Sequence, residues 1–454
     1  MTKPSKSSVS LAFAAPKVWV PPLVLVAALV FVMTLVYFGS VVDPAGRLHD
    51  LPVAVVNEDH GAAVGGRRVD IGQQVVAGLT QSQALTSRLS LRAGDLSAIE
   101  DRMDLGKEYA AVVIPAGFTS SLLAIAGAPA PAGKSPSRPT IELLTNPRAG
   151  TLGVSLATGV LQPALARASQ EVGKSLAPIV SADTAHPSAA VDALLSDPIT
   201  VAATPYRPLP RHTALGLSAF YIALLTTFCG FLGGTIVQVS LDAVLGFAAT
   251  EIGPRWRQRQ PVAISRWQTL LAKWALAVPL MVALTGVMLL AAVVILDMNT
   301  PHFWELWLLS WFAASVVAIG TLVLFAALGT VGQLIALLVF VYLALASSGG
   351  TIPLEALSGF FRFVANFEPL RQILDGVRSV LYFDARGAAG LTRAFVATAA
   401  GLGFWLALGA AVTNWYDRKG LHRLTPALVE YVDRSVRGYR DADEGAARDE
   451  GKGS

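Results

Sequence analysis

Six predominantly apolar stretches, at about 20–42, 214–240, 270–296, 305–328, 331–349 and 394–413, dominate this chain. A hydrocarbon core of about 30 Å needs roughly 20 such residues per helix at 1.5 Å rise each, and all six come close to that length. In such a core every backbone N–H and C=O must be satisfied within the segment, so continuous apolar runs of this kind are expected to span as helices. Hydrophobic residues make up 53% of the chain and charged ones 15%, against roughly 25% charged in soluble domains. Water is therefore not the solvent for the whole molecule. The first stretch is long for the apolar region of a secretory signal and lacks a small-x-small site where Tyr37 to Val42 leave it, so it reads as a membrane anchor.

Lysine and arginine set the expected orientation. Lys3, Lys6 and Lys17 precede the first span, Arg255, Arg257, Arg259 and Arg266 fill the loop after the second, and Arg418, Lys419 and Arg423 follow the sixth. The loop Asp297 to Phe303 has neither residue type. Both termini are expected inside, and residues 43–213 outside. Arg362, Arg371, Arg378 and Arg386 then fall on the outer side, accompanied by Glu355, Glu368, Asp375 and Asp384. Trp19, Trp267, Trp274 and Trp415 lie near inner boundaries and Trp304 and Trp307 near an outer one, as interfacial anchors do. The net charge of +4 is thus spent at membrane edges; no basic stripe interleaved with aromatics suggests a nucleic-acid partner. The single cysteine, Cys229, lies in an apolar segment, so the outer domain folds without a disulfide.

Within 43–213, short apolar runs at Leu51 to Asn57, Tyr109 to Pro115 and Thr140 to Asn146 alternate with helix-like stretches at 69–91 and 152–180, the pattern of a small α/β layer. Residues 127–139, rich in Pro, Ala, Gly and Ser, read as a loop. Pro205, Pro208 and Pro210 read as a stiff re-entry to the second span. Gly173-Lys174-Ser175 is no phosphate loop, since Ala168 stands where the first glycine belongs and the segment reads as mid-helix. His49, Asp50, Asp59 and His60 match no metal spacing, and Asn57 to Gly61 reads as a turn. Ser155 and Ser218 lack the glycines of a nucleophile elbow. No catalytic, cofactor or metal residues are assigned, and the chain is not expected to be an enzyme.

The spans carry almost no ionisable groups: Lys273 and Glu305 are placed to snorkel, and Asp242 to sit at the inner end of the second span. That disfavours an ion-coupled pump. Gly230-x-x-x-Gly234 allows close helix approach, or is simply glycine in a membrane helix; Pro279 is expected to kink the third span. Between the last two spans, Ser347 to Asp384 reads as two amphipathic pieces divided at Glu368-Pro369. Leu357, Phe360, Phe361 and Val364, then Leu370, Ile373, Leu374 and Val377, share a side, with the charges facing away, as for helices in the outer interface. After the sixth span, Thr425-Pro426 reads as a helix start, with Leu428, Val432, Val436 and Tyr439 on one stripe.

Ser348, Gly349, Gly350, Pro353, Pro369, Gly376 and Arg378 give this last inter-span segment a resemblance to permeases of the ABC-2 type exporter superfamily. LPVAVVNEDHGA at Leu51 to Ala62 and YAAVVIPAGF at Tyr109 to Phe118 resemble the outer domain of its YhgE/Pip (phage infection protein-like) branch. The resemblance implies six helices, a dimer, re-entrant outer helices at 351–390 and a cytoplasmic loop that docks on a separate ATPase. The loop Asp242 to Arg266 is in the corresponding place, and Glu251, Arg255, Trp256 and Arg257 are its candidate contacts; the same arginines also satisfy the positive-inside bias. Many members of the branch carry a much longer, coiled-coil-rich outer domain than this chain does.

The expectation is an α-helical polytopic membrane protein with six transmembrane helices, N-in/C-in, and an inserted α/β extracytoplasmic domain. Its parts are a cytoplasmic N-terminus (1–19), a first span (20–42), the outer domain (43–213), a five-helix ABC-2-like membrane domain (214–413) and a cytoplasmic tail (414–454). The expected function is that of an ABC-2 exporter permease in a bacterial plasma membrane, a homodimer moving an amphipathic, lipid-like or drug-like molecule with a separate ATPase. The alternative is a non-transport scaffold or receptor that binds through the outer domain.

Overall fold

The computed structural model describes residues 16–64, 67–125, 138–183, 194–253, 255–257 and 259–421, together with residues 423, 430, 434 and 437. Lys3, Lys6, all but the last two residues of the 127–139 loop, Thr425-Pro426 and the stripe Leu428, Val432, Val436 and Tyr439 lie outside the described residues. Six helices are long and apolar enough to cross a membrane. The first, α1 (Pro16–Val41), is apolar throughout, and its Leu23, Val24, Phe31 and Leu35 are each more than half exposed. Such a surface is stable in lipid and not in water.

A five-stranded sheet follows, ordered β4-β1-β5-β6-β7 from β1 (Leu51–Asn57), β4 (Leu89–Ala93), β5 (Ala110–Ile114), β6 (Thr140–Thr145) and β7 (Thr200–Pro205). β1 runs parallel to both β4 and β5, β6 is antiparallel to β5, and β7 is parallel to β6. A two-stranded ribbon, β2 (Ala62–Val64) and β3 (Arg67–Val69), stands apart. The crossovers are α2 (Ile71–Gln81) with the short α3 (Gln83–Thr86), then α4 (Leu96–Met103), α5 (Phe118–Ile125) and the long α6 (Thr151–Asp183). Val53, Val55, Val112, Ile141 and Leu143 on one face pack with Val75, Leu122, Leu161 and Leu165. Ala54, Val56, Ala111 and Val113 on the other face cover Ile99 and Met103. Helices on both faces explain why the central strands are apolar at nearly every position instead of alternating.

The Asn57 to Gly61 turn pins two helix starts. Asp59 accepts from the Gly72 amide at 3.3 Å and the Thr119 amide at 3.2 Å. The Thr119 hydroxyl also donates to Asp59 and accepts from the Ile71 amide at 2.8 Å. Two expectations need correction here. The 69–91 stretch is not one helix: Ser82 caps the break after α2, and the end of the stretch pairs as edge strand β4. Pro205 does not stiffen a linker but closes β7, opposite Thr145; at the strand's last position its missing N–H costs no ladder bond.

The other five spanning helices form a bundle around α9 (Phe303–Leu328), which is flanked by α7 (Ser218–Val244), α8 (Arg266–Leu289) and α14 (Leu391–Arg418). α9 is buried along most of its length. At Gly230 an added Cβ would sit 2.5 Å from the Ala314 carbonyl oxygen, and at Gly234 it would sit 3.0 Å from that of Ala318. The glycine pair thus brings α7 directly onto the α9 backbone, within one chain. α8 contains Pro279 and ends in a π-helical turn, Leu290–Ile295. The fifth span is composite: α10 (Thr330–Leu337), a π-helical stretch Leu338–Leu343 and α11 (Ala344–Ser347). Trp274 is not an interfacial anchor, because it is buried among the helices, edge-on to Trp267 at 5.7 Å between ring centroids. Trp304 and Trp415 are exposed.

The segment between the fifth and sixth spans folds as α12 (Gly359–Ala365) and α13 (Pro369–Tyr382). The expected interfacial pair is half right. Phe361 is buried, but Phe360 is exposed, with Phe363 and Phe367 beside it. α13 does not lie on a surface: Leu370, Ile373, Leu374 and Val377 are at most 1% exposed, packed on Ala219, Phe220, Leu306, Leu309 and Ala394 of the spans. Its charges are largely covered too, with the Arg371 and Asp375 side chains 15% and 17% exposed. They face the sheet, whose core continues without a break through Ile352, Ala356, Leu357 and Phe361.

Candidate functional site

Two polar clusters occupy opposite ends of α7. The one facing the sheet is built on the Ser348 to Arg378 motif. Gly349 has φ +69°, which a side chain rarely adopts, and a Cβ on Gly350 would collide with the Phe220 ring. The resulting turn aims its carbonyls at α13, where an Arg378 Nη donates to Gly349 O at 3.1 Å and Gly350 O at 3.3 Å. Pro353 precedes a short 3-10 turn. Pro369 begins α13, whose first amides, of Leu370 and Arg371, donate to the Glu368 carboxylate at 2.9 Å each. Gly376 lets α13 approach Leu309 and Ala394. The motif residues are therefore assembled into one element.

Around that element lies a cavity of about 310 Å³ lined by Tyr109, Glu355, Arg371, Asp375 and Arg378, with Leu354 and Phe383 among its apolar walls. Arg371 pairs with Asp375 one turn on, and its Nε, like Glu355 Oε2, is buried without a hydrogen-bond partner. Burial raises the pKa of Glu355 despite the nearby Arg371 and Arg378, and raises that of Tyr109, so both favour the protonated form. Burial also pushes Glu368 up to about 7 against its two amide bonds. His49 N–H donates to Glu355 O at 3.1 Å, an Arg148 Nη donates to Tyr382 O at 3.2 Å, and Tyr382 Oη shares a 2.7 Å bond with Ser218 Oγ. Sheet and spans are thus stitched together at this end.

The second cluster centres on Asp242. Its Oδ1 accepts from Lys273 Nζ at 2.5 Å and an Arg423 Nη at 2.7 Å; its Oδ2 accepts from Gln238 Nε2 and the other Arg423 Nη, both at 2.7 Å. Lys273 also donates to Gln238 Oε1 at 2.8 Å. The expectation that Lys273 snorkels to the surface is overturned: it is 3% exposed, because α7 offers it a carboxylate and an amide one turn apart, a better partner set than distant water. Asp417 of α14 accepts from the first two amides of α8, Arg266 at 3.0 Å and Trp267 at 3.2 Å, where a helix start favours negative charge. This network was missed in the sequence, although Gln238 and Asp242 share a helix face and Lys273 lies about two turns into a span.

The loop leaving this cluster is closed at its base by Val262 N–H to Leu245 O at 3.0 Å. Beyond it stand β8 (Thr250–Ile252) and β9 (Arg255–Arg257), antiparallel, with Glu251 opposite Trp256 and Ile252 opposite Arg255. Glu251 and Arg257 are exposed. The candidate loop residues thus share one hairpin, apart from the motif residues at the other end of the bundle. Gly173-Lys174-Ser175 lies inside α6, where Gly173 makes room for the Leu195 backbone. Among the described residues no cluster of His, Cys, Asp and Glu has the makings of a metal site.

No curated protein matches the chain. Among solved structures, it is similar to a domain of an ABC type-2 transporter from Thermotoga maritima. That match has 22% identity and a TM-score of 0.23, covering 34% of this chain and 85% of that one. The family described as "Protein of unknown function (DUF3533)" matches residues 22–400, from the first span through the sheet and into the sixth span, and the chain belongs to that family.

Proposed function

We propose that this chain is the permease subunit of an ABC-2 type exporter, acting as a homodimer in a bacterial plasma membrane. A separate ATPase drives an amphipathic molecule toward the face that carries the sheet domain. The observation that carries this reading is α13, a short helix buried between the fifth and sixth spans and locked to the Gly349–Gly350 turn by Arg378. It is the assembled form of the motif that resembles this superfamily. Support also comes from the hairpin bearing Glu251, Arg255, Trp256 and Arg257, which projects from the opposite end and suits an ATPase contact. The positive-inside bias supports a cytoplasmic position for that hairpin and both termini, and an outer one for the sheet.

The test is a detergent pull-down of the intact chain against a Glu251→Ala, Arg255→Ala, Arg257→Ala variant, with bound subunits identified by mass spectrometry. An ATP-binding-cassette subunit held by the native chain and lost from the variant supports the permease; its reproducible absence from both refutes it. A non-transport scaffold or receptor is the second reading, favoured by the continuity of the sheet core with Ile352 to Phe361. A sheet welded to its anchor suits load-bearing, and the absence of an ATPase would select this reading.

A further inference from the structure

The cavity between the sheet and α13 carries several unengaged hydrogen-bond donors beside one unengaged carboxylate oxygen, Glu355 Oε2. Arg378 forms no ion pair with a carboxylate among the described residues; its guanidinium is held in place by the two motif carbonyls. Arg371 Nε is buried with no acceptor. Among the described residues the Tyr109 hydroxyl has no hydrogen-bond partner, and burial keeps it protonated. Of the acceptors beside these groups, Asp375 is engaged with Arg371 and the Gly349 and Gly350 carbonyls with Arg378, while Glu355 Oε2 has no hydrogen-bond partner. Burial raises the pKa of Glu355.

The start of α6 adjoins this cavity. Gly150, Thr151, Leu152 and Gly153 line a neighbouring recess of about 10 Å³ that shares Tyr109 and Arg378 with it. A Cβ on Gly150 would lie 3.6 Å from the Tyr109 ring and 3.7 Å from an Arg378 Nη, so the helix start, the phenol and the guanidinium share one space. α6 is 33 residues long and has no acidic residue in its first turn. Its first amides have no intrahelical acceptors, and its dipole favours an anion there.

We propose that this cavity binds a phosphate-type anion, the headgroup of an amphiphilic substrate. The donors lining it come from β5's edge and from two turns of α13, with the start of α6 beside them; they approach from different directions, which suits the tetrahedral oxygens of a phosphate better than the two coplanar oxygens of a carboxylate. Leu354 and Phe383 wall the cavity, and α12, which follows the motif turn, exposes Phe360, Phe363 and Phe367. The assignment deepens the permease reading by naming its cargo class, and its direction of travel rests on that reading. Its chemistry is tested without any ATPase, so it fails or stands separately from the pull-down.

The experiment uses the purified full chain in dodecyl maltoside, titrated with short-chain phosphatidylglycerol, the phosphate-free short-chain diacylglycerol or inorganic phosphate, with bound ligand counted by native mass spectrometry. Phosphatidylglycerol is expected to bind best. Tyr109→Phe should weaken it about tenfold, the size of one lost hydrogen bond to a charged group; Arg378→Gln should weaken it further. Lys419→Ala, at the other end of the sixth span, should leave it unchanged. Because Arg378 also holds the motif turn, Tyr109→Phe carries the decision if Arg378→Gln fails to fold. Equal binding of the phosphate-bearing and phosphate-free lipids, or wild-type affinity in Tyr109→Phe, overturns the site. Inorganic phosphate binding where phosphatidylglycerol does not overturns the headgroup assignment.

Discussion

Asp242 receives four hydrogen bonds from three side chains, and removing its charge should cost far more than removing that of its most deeply buried partner. In Asp242→Asn, Lys273 keeps only neutral acceptors, Gln238 Oε1 at 2.8 Å and the new amide oxygen, and faces the Arg423 guanidinium with no anion between them. Breaking a buried ion pair by removing one member costs about 3–5 kcal/mol. In Lys273→Met, Asp242 still holds Arg423 through both oxygens and Gln238 through one. The lost bond is offset by no longer burying an ammonium, so the cost should be about 1 kcal/mol. The double variant should be more stable than Asp242→Asn alone, because the remaining Arg423 has a 27% exposed side chain and can turn to water. A coupling energy of about 2 kcal/mol is expected from the cycle. Equilibrium unfolding in mixed dodecyl maltoside and dodecyl sulfate micelles measures all four proteins. If Lys273→Met costs as much as Asp242→Asn, or the two single losses simply add, the cluster is not organised around Asp242.

The same assay addresses packing. Gly230→Val should cost about 1–3 kcal/mol, since even its Cβ would stand 2.6 Å from that of Val317. Gly159→Ala, on an α6 position with open space, should gain about 0.5–1 kcal/mol. Asp59→Ala should raise hydrogen exchange selectively at the starts of α2 and α5, because the Gly72 and Thr119 amides lose their carboxylate. Glu368 has a folded pKa of about 7, above the ordinary carboxyl value of 4.5, so the native state binds the extra proton between those values. Its contribution is fully present below about pH 4.5 and lost as pH rises through about 7. Between pH 5 and 8 the wild type should therefore lose on the order of 2 kcal/mol relative to Glu368→Gln; parallel pH profiles would refute this.

Length and composition alone specified much of the architecture. A run of about 20 apolar residues has few ways to satisfy its backbone, and the six runs read from the chain correspond to the six helices fit to span. β1, β5 and β6 were legible as short apolar runs between turns, and α6 as a long periodic segment. The edge elements were not. β4 has only LSLRA to declare it, and its strand character comes from pairing with β1, a contact made across α2 and α3.

The candidate site divides in the same way. Local chemistry marked Gly349, Gly350, Pro353, Pro369, Gly376 and Arg378 as a unit, because glycine and proline impose backbone conformations that can be read in one dimension. The chain could not reveal what those conformations serve. Amphipathic spacing suggested α13 as a surface helix with solvated charges, since periodicity tells which residues share a side and not what covers each side. Only the tertiary structure laid the sheet over its charged side and the spans over its apolar side. Only the tertiary structure, likewise, brought Lys273 of one span to Asp242 of another and to Arg423 beyond a third. Partners so far apart in sequence leave no local pattern, and their attraction offsets the cost of leaving water only in the hydrogen-bonded, low-dielectric setting that the folded bundle provides.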